Sequence, residues 1–386
     1  MNPGIDRYSG DESRDSSPDA GRPAALVPQG QVTAGLACSA FGLTAGPGTT
    51  ITAVSRGATG RIWRLDLGSS PPSRYAVKHL LDEPDEESIR PETAFTTHLA
   101  AAGIPLPRSL PARNGQFAVP LPHDNTGRGT GPSDTDGDTR DGTGAYTGGT
   151  GGGWLRLYEW IDGEPADQAD PGVASRIGEL LGTLHALALP PHGPPDPWYE
   201  TAPGAAAWGQ LADAGRAQRA AWGQELAGRA ALLRDLTSLV EPAARDQLVT
   251  CHRDLHPDNV LVGRSGALVP LDWDDTGPAS PDQELAGLLM FWHGDIAGTA
   301  DEAAAARTLR AYCAAGGPGR LRDERSFGMY LAGRLNFLHG QASLALDPST
   351  SPEDREYASA EVSDTLARLP TLTLLRRLVS VARVCR

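Results

Sequence analysis

Apolar residues change rhythm about halfway along the chain. In the first part they come in short, roughly alternating runs: Ile51 to Val54, Ile62 to Leu65, Tyr75 to Val77, Phe117 to Leu121 and Trp154 to Ile161. Gly, Pro and Ser clusters bound these runs, which predicts short strands. Two helices are predicted among them, over Val32 to Leu43 and over Pro91 to Ala102. From Val173 the period lengthens, with Ile177, Leu180, Leu181 and Leu184 at amphipathic-helix spacing. Two helices are expected across Ala205 to Val240, with Trp and Tyr residues nearby read as core. Another opens at Pro281-Asp282-Gln283-Glu284-Leu285 and runs through about Ile296. Helices over 300–313, 325–346, 352–369 and 372–384 complete the chain.

Two segments carry no such pattern. Residues 1–31 are rich in Asp, Ser, Pro and Gly, and residues 123–153 collapse into Gly, Thr, Asp and Ser. Neither can bury enough apolar surface to offset chain entropy, so both are expected to be disordered. The second would hang as a loop from the ends of two strands. The chain thus divides into a tail (1–31), a strand-rich part (32–163, with the insertion 123–153) and a helical part (164–386).

Between the later helices stands one stretch of a different kind, CHRDLHPDNVLVGRSGALVPLDWDD, Cys251 to Asp275. A charged loop, His252 to Asn259, leads into Val260-Leu261-Val262. Gly263 to Gly266 turn the chain, and Ala267 to Leu271 run apolar again up to Asp272. Loop, strand, turn, strand brings Asp254, Asn259 and Asp272 to one mouth. A carboxylate base, an amide oxygen and a second carboxylate suit hard-cation and hydroxyl chemistry.

Composition narrows the class. The chain has 386 residues, enough for one large domain or two, and no apolar run of membrane-spanning length. With no basic-then-apolar start it is expected to be soluble and cytoplasmic. Four cysteines, Cys38, Cys251, Cys313 and Cys385, lack metal-type spacing and disulfide density. A formal net charge of -14 argues against nucleic acid and toward cationic partners. Lys78 is the only lysine among 34 basic residues, and it ends the Tyr75-Ala76-Val77 run. An ammonium is a compact point charge on a slender stem, unlike the planar guanidinium that fills every other basic position.

His252-Arg253-Asp254, then Asn259, then Asp272-Trp273-Asp274 resembles the signature of the aminoglycoside phosphotransferase family. Arg253 and Asp258 stand where that family usually has glycines. The run Glu92, Leu99, Gly103, Pro105 and Pro107 and the Leu-Gly-x-Leu-His run ending at His185 are similar to the family as well. The resemblance implies an α+β, protein-kinase-like two-lobe fold, with a β-rich N-lobe and a larger helical C-lobe. It implies transfer of the γ-phosphoryl of ATP, or another nucleoside triphosphate, to a hydroxyl of a small molecule.

On that resemblance Asp254 is the base, Asn259 and Asp272 hold Mg2+, Lys78 holds the nucleotide phosphates and Glu92 pairs with Lys78 to orient it. Leu157 to Ile161 would link the lobes, with backbone groups facing the base. Gly57 and Gly60 match the phosphate-covering hairpin by position only, and an ordinary hairpin reads them equally well. His252, His256 and His185 read as bracing residues. Asp274 and Asp275 show no basic partner nearby in sequence and Glu284 begins the helix after them, so the three are candidates for binding a cationic acceptor such as an aminoglycoside. Capping roles for Asp275 and Glu284 stay open. The competing readings are a metabolite kinase of the same fold (choline, homoserine or thio-sugar type) and a catalytically silent binding module. No Phe-Gly follows Asp272, which argues against a protein kinase.

Overall fold

The alternating runs of the first part bury one face each. In the computed structural model, which describes residues 32–56, 60–80, 84, 86–121, 153–294 and 299–384, a helix opens the chain, α1 (Ala34–Phe41). Thr33 caps it by accepting from the Leu36 N–H at 3.2 Å, and Gly42 ends it in the left-handed region. Three strands follow, β1 (Thr50–Arg56), β2 (Gly60–Asp66) and β3 (Arg74–Leu80), then α2 (Glu86–Ala101). β4 (Ser109–Leu110), β5 (Val119–Pro120) and β6 (Trp154–Glu159) complete one antiparallel sheet in the order β1-β2-β3-β6-β4, with β5 also on β6. Leu65, Val77, Leu155 and Leu157 point to its buried face and pack with Phe41 and Trp63. The insertion lies outside the described residues; its flanks pair, Val119 opposite Leu155, and the Leu121 N–H donates to the Gly153 carbonyl at 2.8 Å.

α2 departs from expectation at its start. Pro91 reads as a first-turn residue, but the helix begins at Glu86 and carries Pro91 inside it. A proline this near the N-terminus forfeits one intrahelical bond, a loss the helix tolerates.

β7 (Gly163–Pro165) leads into a second, larger core. α3 (Pro171–Ala186), capped by Asp170, sends Ile177, Leu181 and Leu184 inward. Three helices, not two, occupy the next stretch: α4 (Ala205–Ala217), α5 (Gly223–Gly228) and α6 (Ala230–Thr237). Trp208 and Trp222 are buried there. β8 (Val249–Cys251), β9 (Val260–Gly263), β10 (Leu268–Pro270) and β11 (Gly277–Ala279) frame the charged loop. α7 (Pro281–His293), α8 (Glu302–Ala314), α9 (Gly328–Leu346), α10 (Pro352–Ala367) and α11 (Leu372–Val384) close the helical part. Among the described residues no helix is long and apolar enough to cross a membrane.

Candidate active site

The charged loop folds as its pattern predicts. β9 and β10 pair with Val262 opposite Leu268 and Val260 opposite Pro270, and the Leu271 N–H donates to the Asn259 carbonyl at 2.8 Å. That bond sets Asp272 beside Asn259. Asn259 Nδ2 donates to Asp254 twice, to its carbonyl and to Oδ2, each at 3.0 Å. His252 Nε2 lies 2.9 Å from the Leu271 carbonyl, and its ring packs 4.4 Å from the buried Trp273. His256 Nε2 lies 3.5 Å from Asp254 Oδ2. Burial would lower the His256 pKa, but Asp254 outweighs it and holds the ring above its ordinary value.

Lys78 reaches this mouth from β3. Its Nζ sits between Asp272 Oδ1, at 2.6 Å, and Asp274 Oδ2, at 2.7 Å. Burial alone would depress the ammonium; Asp274 and Asp272 reverse that and keep it charged. The expected Lys78–Glu92 pair is not formed. Glu92 is engaged by Arg156 of β6, with Nη1 and Nη2 at 2.8 and 2.9 Å from its two oxygens. The physical reason is fit: a planar fork matches a carboxylate on two bonds where an ammonium makes one. Arg156 Nη1 also donates to Asp274 Oδ1 at 2.9 Å, and the Tyr158 hydroxyl to the same oxygen at 3.3 Å. Asp274 is therefore not a carboxylate without basic partners: despite burial, Lys78 and Arg156 lower its pKa.

Glu284 is corrected likewise. It is buried, accepts the Arg253 backbone N–H at 2.6 Å through Oε1, and lies 2.6 Å from His185 Nε2 through Oε2. Burial raises its carboxyl, but His185 and the Arg253 N–H bring it down to about 2. His185 is fully engaged, its Nδ1 lying 2.7 Å from the Tyr312 hydroxyl. Asp275 is the most exposed of the three acceptor candidates. Loss of water around its carboxyl, with Asp254 close by, pushes it up to about 7 against the pull of Arg253. Arg253 has φ +68°, which explains why a glycine is the easier residue there. Its guanidinium stacks 4.4 Å over the Tyr199 ring and its Nε donates to the Asp275 carbonyl.

Gly60 starts β2, where a side chain would meet the His79 carbonyl at 2.2 Å, so sheet packing requires glycine there. Gly57 lies outside the described residues. Sequence reasoning missed Arg156, Tyr158, Arg253's stacking and Tyr199. A lone arginine between Leu155 and Leu157 on a buried strand was the one available signal.

The donor set fits a divalent cation. Asp272, Asp274 and the Asn259 amide oxygen are hard oxygen donors, and the Lys78 ammonium already rests between two of them as a stand-in positive charge. A lysine strand, the Asp254 loop and a carboxylate hairpin brought together in this way match the architecture of protein-kinase-like phosphotransferases. The model of the phosphotransferase enzyme family (APH) matches residues 50–323, and the chain belongs to that family. Its fold resembles spectinomycin phosphotransferase in complex with ADP and its substrate (13% identity, 88% of this chain and 94% of that one, TM-score 0.52). It also resembles an amicoumacin kinase in complex with AMP-PNP and Ca2+ (15%, 86% and 92%, TM-score 0.51). A microcompartment-associated aminopropanol kinase is similar too (14%, 86% and 93%, TM-score 0.50). At these identities the likeness establishes the α+β, two-lobe kinase-like fold. No curated protein matches the chain in sequence.

Proposed function

We propose that this chain transfers the γ-phosphoryl group of ATP, or another nucleoside triphosphate, to a hydroxyl of a small amine-bearing molecule, of which aminoglycoside-type antibiotics are the leading class. The observation that carries the reading is the convergence of Asp254, Asn259, Asp272 and Lys78 on one mouth. Asp254 accepts the acceptor's hydroxyl proton at Oδ2 while Asn259 holds that carboxylate in place. Asn259 and Asp272, with Asp274 beside them, would hold Mg2+, which when bound neutralises charge on the phosphate oxygens. Lys78 orients the nucleotide phosphates once it leaves its two carboxylates.

The amine preference rests on Asp275, exposed beside Asp254 and only partly offset by Arg253, and on the acidic chain. Aminopropanol, named in one of the similar kinases, carries both an amine and a hydroxyl, in keeping with either an antibiotic or a metabolite acceptor. The intact set of Lys78, Asp254, Asn259 and Asp272 speaks against a silent binding module.

A panel of amine-bearing antibiotics and amino alcohols, assayed for acceptor-dependent ADP release with Mg2+, tests the reading. Turnover with a cationic acceptor supports it. A neutral or anionic preferred acceptor removes the amine preference and leaves the phosphotransferase. A purified chain that binds no nucleotide with Mg2+ removes both.

A further inference from the structure

β3 and β6 pair with Lys78 directly opposite Arg156, so the two cations stand side by side on neighbouring strands. Like charges at such positions repel unless other groups compensate them. Three carboxylates do so here, and they are divided unequally. Arg156, 2% exposed, takes both oxygens of Glu92, itself 5% exposed, and one oxygen of Asp274. Lys78 is left with the other oxygen of Asp274 and with Asp272, which is 40% exposed. Both partners of Lys78 therefore lie on the segment that supplies donors for a hard cation, and Arg156 shares one of them, Asp274, while keeping Glu92 to itself.

We infer that Arg156 is the positioning residue of the phosphate-binding end: it fixes Asp274 and occupies Glu92, so that Lys78 is held at the mouth by Asp272 and Asp274, where nucleotide phosphates would take it over from those carboxylates. This rests on the phosphotransferase reading and deepens it. When Lys78 departs, Asp274 keeps Arg156 Nη1 at 2.9 Å and the Tyr158 hydroxyl at 3.3 Å, and so keeps its orientation. Without Arg156, Glu92 would be a buried carboxylate with Lys78 as the nearest remaining cation. Lys78 would be drawn back toward α2, and Asp274 would lose its fixed side. Arg156 Nε is buried without a hydrogen-bond partner among the described residues, an imperfection that a residue selected for packing alone need not carry.

A purely structural ion pair makes a different prediction, and the double variant Arg156→Met with Glu92→Leu separates the two. Replacing a buried ion pair by apolar residues of similar size is often neutral for stability. Calorimetric titration of Mg·ADP, with Mg2+ varied, reads binding without needing the acceptor. The expected result is a folded protein whose Kd for Mg·ADP is weakened about tenfold or more, with half-saturating Mg2+ shifted upward to match. A folded double variant with wild-type Kd and wild-type Mg2+ dependence overturns the inference. Should the double variant not fold, Arg156→Lys, which keeps the charge and loses the fork, decides by the same two quantities. A wild-type chain that binds no Mg·ADP overturns the phosphotransferase reading itself and this inference with it.

Discussion

Asn259 reaches back to Asp254, its amide nitrogen 3.0 Å from both the carbonyl and Oδ2 of that residue. Asp254, the proposed base, is thus fixed by the neighbour proposed to offer an oxygen to Mg2+. Asp254→Ala should lower kcat about a thousandfold. Its Kd for Mg·ADP should stay near that of the wild type, because Asp254 acts on the acceptor. Asn259→Ala should lower kcat and also raise the Mg2+ requirement. Steady-state kinetics beside nucleotide titration separate the two, and near-normal turnover in Asp254→Ala would sink the assignment.

Asp272→Ala removes one cation donor and one partner of Lys78, leaving the ammonium on Asp274 alone. Metal-dependent nucleotide binding should be lost along with turnover. The titration to run is ADP with and without Mg2+. The wild type should show a large difference between the two, the variant none.

Glu284→Gln should destabilise the protein by about 1–3 kcal/mol, because it weakens the buried hydrogen bonds that the carboxylate makes with the Arg253 N–H and with His185. The pH dependence follows from the depressed carboxyl, at about 2 against an ordinary 4.5. Such a group contributes stability above its ordinary pKa and loses that contribution as pH falls toward about 2. The deficit of Glu284→Gln should therefore be largest near neutrality and shrink by pH 3. Denaturant midpoints at several pH values measure this; a deficit independent of pH would contradict it.

Arg253 holds a left-handed backbone, which for a side-chain-bearing residue costs about 1–2 kcal/mol. Its stacking on Tyr199 and its bond to the Asp275 carbonyl offset that strain. Arg253→Gly relieves the strain and loses the stacking, so its Tm should stay close to that of the wild type. Arg253→Ala keeps the strain and loses the stacking, and should be the less stable of the pair. Equal losses in both variants would show that φ is irrelevant here.

Asp275 is pushed up to about 7, so it is neutral on the acid side of that value and anionic above it. For an amine-bearing acceptor KM should fall as pH rises through about 7. In Asp275→Asn that change should vanish while KM for ATP stays put. KM measured at pH 6 and pH 8 in both proteins decides it.

The charged hairpin was legible because its polar groups are contiguous: Asp254, Asn259 and Asp272 lie on one loop and two strands of plain alternation. The partners of those groups were not legible in the same way. Asp274 meets a cation 118 residues away in Arg156, and no local pattern announces such a pairing. Glu284 sits in a helix start, where acidic residues are common for the helix dipole alone, so its burial against His185 left no trace in sequence. Helix ends were misplaced for a related reason. Proline at a first turn is a good rule, yet α2 gains more from five further residues than Pro91 removes.

β7 follows β6 by only a few residues, and it pairs with β9, the strand that leaves the Asp254 loop, Gly163 opposite Gly263. A side chain at Gly163 would meet the Val262 carbonyl at 2.8 Å. The crossing from one half of the molecule to the other is thus stapled by main chain to the strand that follows the Asp254 loop. If the halves breathe, the pivot must lie on the β6 side of Gly163. On the proposed function, the distance from nucleotide to Asp254 would then be set by backbone length, whichever acceptor is bound.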